Sequence, residues 1–460
     1  MRILKGAGTR KQVALTRALT AKDGFTIVVG SVIGSGIFLV PGFIAMQLAS
    51  LRAVLLVWFC GALLSVFGAV SLAEMGSMFP GAGGLYIYLR RSYGRPVAFL
   101  YGWGLLTMIQ TGTIATLGAG FALYLSRVIG FSPVERKVVG AASIVALTGI
   151  NLLGVHTAKH LQNASTVAKI AGLVLLGLLL FWRGHVTTLG ESWRILPELR
   201  QPLPFGVALI AVLWAYEGWH VVSFTAGEFL NPGRDLPKSL IFGTAVVGAI
   251  YVVMNLAYYA VLGPAQIRGT GSAAASAVAF AYGADATHFV SILILISILG
   301  AMNGMVLTGP RVYYAMALEG DFLPMLGRLD SRFHAPALAI IVQGIWAAAL
   351  ILLGSFQQLY THVIFTAWIF YGLAVGGVIV LRVRFPHLAR PFRAPGYPLI
   401  PLLFMLASAA VVVSTIVSQP RNAIAGILLM MLGIPVYFVF SLQHRPNAQL
   451  SSALREEAGE

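Results

Sequence analysis

The sequence predicts an all-α integral membrane protein of about twelve transmembrane helices. Of its 460 residues, 58% are hydrophobic and only 10% charged, against roughly a quarter charged in a soluble domain. The charged residues cluster between apolar stretches long enough to cross about 30 Å of hydrocarbon at about 1.5 Å per residue. Within lipid each stretch must satisfy its own backbone hydrogen bonds, which a helix does and an open strand does not. The net charge of +16 does not point to nucleic acid, because the basic residues flank the apolar stretches instead of forming one stripe with interleaved aromatics.

Windows of about nineteen residues place the spans at 24–48, 53–78, 96–125, 134–154, 162–182, 203–227, 239–263, 287–318, 335–354, 358–381, 398–418 and 423–441. The tail before the first span carries Arg2, Lys5, Arg10, Lys11, Arg17 and Lys22. It lacks the apolar core and small-residue cleavage site of a signal peptide, so a retained cytosolic tail is expected. With that end inside, 21 Lys and Arg residues fall on cytosolic segments and nine on the opposite side, while Lys169 lies within a span. This bias predicts that both termini are cytosolic. The segment 80–94, PGAGGLYIYLRRSYG, is too short to cross. It reads either as an interfacial or re-entrant helix on the cytosolic side or as an amphipathic surface loop. Cys60, the one cysteine, lies in an apolar span, so no intramolecular disulfide can form.

Two spans contain the residues expected of interrupted helices. The first reads VGSVIGSGIF, with Gly30, Gly34 and Gly36 inside seven residues, enough glycine to favour local unwinding. Gly30 and Gly34 also fit a close helix contact, so packing is the competing reading. The sixth reads LWAYEGWH, with Glu217 beside Gly218, and an ionisable group at that depth needs a cavity, water or a partner. Breaks at corresponding places are expected if spans one to five and six to ten form an inverted repeat, and such breaks mark transporter sites. An interrupted helix offers free N–H groups and a positive dipole end to a carboxylate, and free carbonyls to an ammonium. A zwitterionic amino acid matches both.

Four stretches carry a family resemblance: VGSVIGSGIFLVPG at 29–42, AEMGSMFPGAGGLYIYL at 73–89, WAYEGWHVVSFTAGEFLNPGRDLPKSL at 214–240 and NGMVLTGPRVYYAMALEGDFLP at 303–324. Together they resemble the amino acid-polyamine-organocation (APC) superfamily, in its L-type amino acid transporter branch with bacterial relatives. The resemblance implies a LeuT-type core of inverted repeats at about 23–182 and 203–382, peripheral helices 11 and 12 within 383–442, and tails at 1–22 and 443–460. It implies sodium-independent exchange of neutral L-amino acids by alternating access in the cell membrane, with proton symport or a cationic amino acid or polyamine carrier as alternatives. Substrate would be held by Val32, Ser35, Gly36, Ile37, Trp214 and Glu217. The N–H groups of Ser35 and Gly36 would receive its carboxylate, and the carbonyls of Val32, Trp214 and Glu217 its ammonium. Trp214 stands where the family places an aromatic lid, and Gly30, Gly34, Gly36 and Gly218 would allow the unwinding. The Glu217 side chain stays open between turning to water or Ser35, selecting cationic substrates and carrying a proton. Lys169 stands where sodium-coupled relatives hold a sodium ion, while snorkelling to the interface is the alternative reading.

Animal members of the branch join a single-span glycoprotein through a cysteine between spans three and four. The segment 126–134 has no cysteine, which excludes a disulfide-linked heavy chain and predicts a monomer or noncovalent homodimer. Other polar positions have structural readings. Asn231-Pro232 should stop the sixth span, Asp235 cap the next and Pro237 sit in its first turn. Glu74, Arg311 and Asp321 are candidates for gate pairs or ordinary ion pairs, and Asn303 and Gln110 for interhelical hydrogen bonds. The nine histidines form no metal motif, and nucleophile-elbow and phosphate-loop patterns are absent, so neither an enzyme nor a cofactor or metal site is expected. A channel lacks its repeated filter segment.

Overall fold

The computed structural model describes residues 15–185, 188–190, 193, 202–353, 356–418 and 420–443. Much of both tails, with Arg194 and Arg200 of the orientation count, lies outside these residues. The described residues form helices and no strand, apart from one isolated parallel bridge between Leu19 and Phe229. Eight helical stretches are long and apolar enough to cross a bilayer, and a ninth forms if the bent pair at the start is one span. The chain is a multi-pass helical membrane protein.

Helix α1 (Ala21–Val32) starts at a reciprocal cap, in which the Thr20 side chain accepts from the Asp23 N–H and the Asp23 side chain accepts from the Thr20 N–H. After a break it continues as α2 (Gly36–Gln47), bent by 44°. Then follow α3 (Leu51–Met78) and α4 (Leu85–Tyr93), the latter entered at Gly84 and left at Gly94 with φ of 46° and 89°. Helix α4 decides the reading of 80–94: it is a real but short helix, with Leu85, Tyr86, Tyr88 and Leu89 buried. Next come α5 (Arg95–Gly104), a π-turn at Leu105–Ile109, α6 (Gln110–Ile129), α7 (Pro133–Leu152) and α8 (Val155–Arg183).

The second half begins with α9 (Pro202–Ala215), then α10 (Pro232–Val261), α11 (Ala273–Tyr282), α12 (Thr287–Thr308), α13 (Pro310–Leu318) and α14 (Ala337–Leu353). It closes with α15 (Phe356–Arg384), α16 (Leu399–Ser418), α17 (Pro420–Met431) and α18 (Gly433–Gln443). Two findings differ from the sequence reading. Helix α11 lies in what was expected to be a connection, being too short for a spanning window. Asp235 does not cap α10: Asn231 is its N-cap residue and Pro232 opens the helix, which puts Pro237 inside it. The predicted span at 287–318 lies within one apolar stretch, Ala284–Leu318, in which Gly309 keeps helical backbone angles ahead of Pro310.

Helix α1 packs against α8, α10 and α12, so the first break is surrounded by protein and not by lipid. Polar side chains tie this centre together. Asn303 on α12 donates to Gln162 Oε1 at 2.8 Å and accepts from Asn151 at 3.0 Å, while Gln110 donates to the Met305 carbonyl at 2.8 Å. These are the interhelical bonds expected of buried amides.

Candidate substrate-binding site

Residues Ile33, Gly34 and Ser35 form the first break. The carbonyls freed there are gathered by Lys169. Its ammonium, fully buried on α8, donates to the carbonyls of Gly30 at 2.8 Å, Ile33 at 2.7 Å and Ser297 at 2.8 Å. It therefore sits between α1, α8 and α12 and does not snorkel. All three ammonium hydrogens have an acceptor, which is how a charge is tolerated at such depth.

Glycine does two different jobs in this region. Gly30 is not unwound: it lies inside α1, where a Cβ would fall 2.1 Å from Gln162 Nε2 and 2.2 Å from Thr166 Oγ1. It serves close packing on α8. Gly36 opens α2, and a Cβ there would lie 2.9 Å from the Ala215 Cα, so two backbones touch. Gly34 lies in the break with ordinary space around it, its nearest neighbour for a Cβ being Leu117 at 3.4 Å.

The second break follows α9. Residues Tyr216 to His220 form turns, Gly218 has φ of 107°, and the chain resumes as a 3₁₀ helix over Val221–Glu228. Only a residue without Cβ adopts that φ without strain. The two breaks are joined by one hydroxyl: Tyr251 Oη on α10 lies 3.1 Å from the Val32 carbonyl and 3.1 Å from the Ala215 carbonyl.

Between the breaks lies a cavity of about 40 Å³, lined by Ser31, Val32, Gly34, Ser35 and Gly36 from the first, Trp214, Ala215 and Glu217 from the second, Thr113, Thr116 and Leu117 from α6, and Met305 from α12. That holds about one or two waters, so an amino acid fits only after lining side chains move. Of the residues expected from sequence, Val32, Ser35, Gly36, Trp214 and Glu217 line it. Ile37 does not: it is fully buried within α2. The Val32 carbonyl is engaged by Tyr251 and by the Gly34 N–H at 2.9 Å, so it is not a free acceptor in this conformation. The first N–H groups of α2 have no carbonyl within their own helix by position.

Glu217 has partners that the sequence reading did not name. Tyr371 on α15 donates its hydroxyl to Glu217 Oε1 at 2.5 Å, and His220 Nε2 lies 3.2 Å from the same hydroxyl. The spacing of His220, three residues after Glu217, was a weak local signal. Tyr251 and Tyr371 left none, since each reaches the site from a distant apolar helix.

The three candidate gate residues do not pair with one another. Arg311 forms a bidentate pair with Glu228, both bonds 2.9 Å and both side chains 1% exposed. Glu74 binds Arg382 at 2.6 Å, and Asp321 binds Arg95 at 2.7 Å and Arg90 at 3.0 Å. On the same face the N–H groups of Ala18 and Leu19 donate to the Glu228 carbonyl, and Lys159 binds the Ala18 carbonyl at 2.7 Å. The segment before α1 is thus laced to the end of the second broken span.

A multi-pass helical protein with two interrupted helices meeting at a cavity lined by their backbone and by a carboxyl side chain has the architecture of a membrane transporter. The amino acid permease family model matches residues 19–440, and the chain belongs to that family, within the APC superfamily. It is 32% identical over 439 residues to the serine/threonine exchanger SteT of Bacillus subtilis (strain 168), covering 94% of this chain and 97% of that protein. It is also 32% identical over 445 residues to the human b(0,+)-type amino acid transporter 1, covering 94% and 89%, and 27% identical over 440 residues to the human cystine/glutamate transporter, covering 94% and 86%. Transport of amino acids across a membrane is the function that these relationships support, and the relatives are transporters, not enzymes.

Proposed function

We propose that this protein is a sodium-independent exchanger of neutral L-amino acids working by alternating access. The carrying observation is the cavity bounded by two helix breaks, one end lined by the start of α2 and the other by the turn at Glu217. In this reading the N–H groups of Ser35 and Gly36 receive the substrate carboxylate, the Trp214 and Glu217 carbonyls receive its ammonium, and Trp214 acts as the lid. The Val32 carbonyl joins them only once Tyr251 releases it. The LeuT-type division into repeats at about 23–182 and 203–382, with peripheral helices within 383–442 and both termini cytosolic, belongs to the same reading. So does operation without a disulfide-linked heavy chain, as a monomer or noncovalent homodimer.

Sodium independence is supported by Lys169, whose ammonium binds carbonyls of both α1 and α12. One fixed charge then does what a mobile cation would do elsewhere. A neutral substrate is supported by the name of the Bacillus subtilis relative, a serine/threonine exchanger. A second reading is favoured by one observation: Glu217 lines the cavity with a hydrogen-bonded carboxyl, which suits a proton-coupled cycle or a cationic side chain.

The test is uptake of labelled L-serine and L-leucine into liposomes holding the purified protein. Saturable uptake, stimulated several-fold by unlabelled amino acid inside and indifferent to replacement of sodium by choline, is expected. Uptake that needs a sodium gradient, or that ignores internal amino acid, contradicts the exchanger. Gly34→Phe is the substitution for blocking the site, because Gly36 carries a backbone contact as well.

A further inference from the structure

Glu217, Tyr371 and His220 form a chain of three titratable side chains with one end at the cavity. The Tyr371 hydroxyl has a single hydrogen, given to Glu217 Oε1. With Glu217 ionised, the imidazole nitrogen 3.2 Å from the same oxygen must be the one that carries hydrogen, Nε2–H. The other nitrogen, Nδ1, is then bare. It is buried without a hydrogen-bond partner, and lies 3.9 Å from Glu217 Oε1, beyond bonding range. A bare imidazole nitrogen at the end of such a chain is a position that can take up a proton.

We propose that Tyr371 and His220 relay a proton to Glu217, so that protonation of the cavity carboxyl is part of the transport cycle. When alternating access admits water to Nδ1, which is buried in this conformation, a proton binds there, the Nε2 hydrogen passes to the Tyr371 oxygen, and the Tyr371 hydrogen passes to Glu217. The site gains one proton. Afterwards Glu217 donates to Tyr371 and Tyr371 donates to a bare Nε2, so the same two contacts serve both states with every donor reversed. The surroundings suit such a relay. Tyr101 of α5 faces Glu217 and Tyr371, with Tyr313 of α13 behind it. Trp219 from the turn and Phe224 from the 3₁₀ helix pack on the His220 ring, and Phe404 of α16 packs on Trp219. The buried cation Lys169 is committed to the carbonyls of the first break. Tyr371 and His220 are positioning residues: they reach the substrate only through Glu217.

This inference rests on the substrate-site reading above, and the test separates the two. Labelled L-serine and L-leucine exchange is followed in liposomes as a function of pH, for wild type, Tyr371→Phe and His220→Gln. Wild-type KM is expected to change by about tenfold between about pH 5.5 and 7.5, as for one titrating group. Both variants should keep saturable exchange while their profiles flatten to within about twofold, the loss a merely structural role would not produce. If one variant does not fold, the other carries the comparison. A wild-type profile that is flat while exchange is saturable, or a variant that keeps the wild-type profile, overturns the relay and leaves the exchanger standing. Absence of saturable uptake at every pH removes both.

Discussion

The two breaks solve the same problem by different means. At the first, the chain leaves α1 and re-enters a helix after three residues, and the freed carbonyls are met by a cation, Lys169, from another helix. At the second, five residues turn through Gly218, the chain resumes as a 3₁₀ helix, and the chemistry is in side chains, Glu217 bonded to Tyr371 with His220 behind. The first break is thus a backbone site held by a fixed charge, and the second a titratable site held by a hydroxyl. In the proposed reading a zwitterion contacts both, and the Tyr251 hydroxyl lies within hydrogen-bond distance of the carbonyl at the end of each half-helix.

Lys169→Ala should separate the two most sharply. It leaves the carbonyls of Gly30 and Ile33 at the break unsatisfied, at about 1–3 kcal/mol each, and should abolish most uptake and lower the thermal midpoint of the purified protein. Uptake near wild type would show that the first break does not depend on the cation. Gly218→Ala should come next. A residue with Cβ at φ of 107° costs about 1–3 kcal/mol, and the new methyl would meet Met305 Cε at 2.9 Å. Gly34→Ala is the matched control at the first break, where the space is ordinary, and its thermal midpoint should stay close to wild type. Equal losses would mean that both breaks depend on glycine conformation. Beyond that control, Tyr251→Phe should have the smallest effect, about 1 kcal/mol for one hydroxyl. Its signature is a change in exchange rate larger than the change in thermal midpoint, since the hydroxyl couples the breaks more than it supports either.

The contrast also explains what could be read in the sequence. Apolar length and charge clusters marked the spans because lipid leaves the backbone few alternatives. Gly34 at one break and Glu217-Gly218 at the other were legible as residues that break a helix or resent lipid. Gly30 and Gly36 were not separable from them, because a glycine that unwinds and a glycine that lets two helices touch look alike until the neighbour, Gln162 or Ala215, is known. Helix α11 escaped because a ten-residue run is too short for a spanning window. Tyr251, Tyr371 and the pairing of Arg311 with Glu228 depend on contacts between distant segments, which no local pattern encodes.

The central claim is that one amino acid bridges both breaks. In a Cys60→Ser background, single cysteines placed at Thr116 and at Gly34 can be titrated with a charged thiol reagent in membranes, with and without saturating L-serine or L-leucine. Protection of both positions by the same amino acid, at the concentration that half-saturates uptake, is the expected result. Labelling at both positions that no proteinogenic L-amino acid slows, in a protein that still exchanges them, would place the substrate elsewhere.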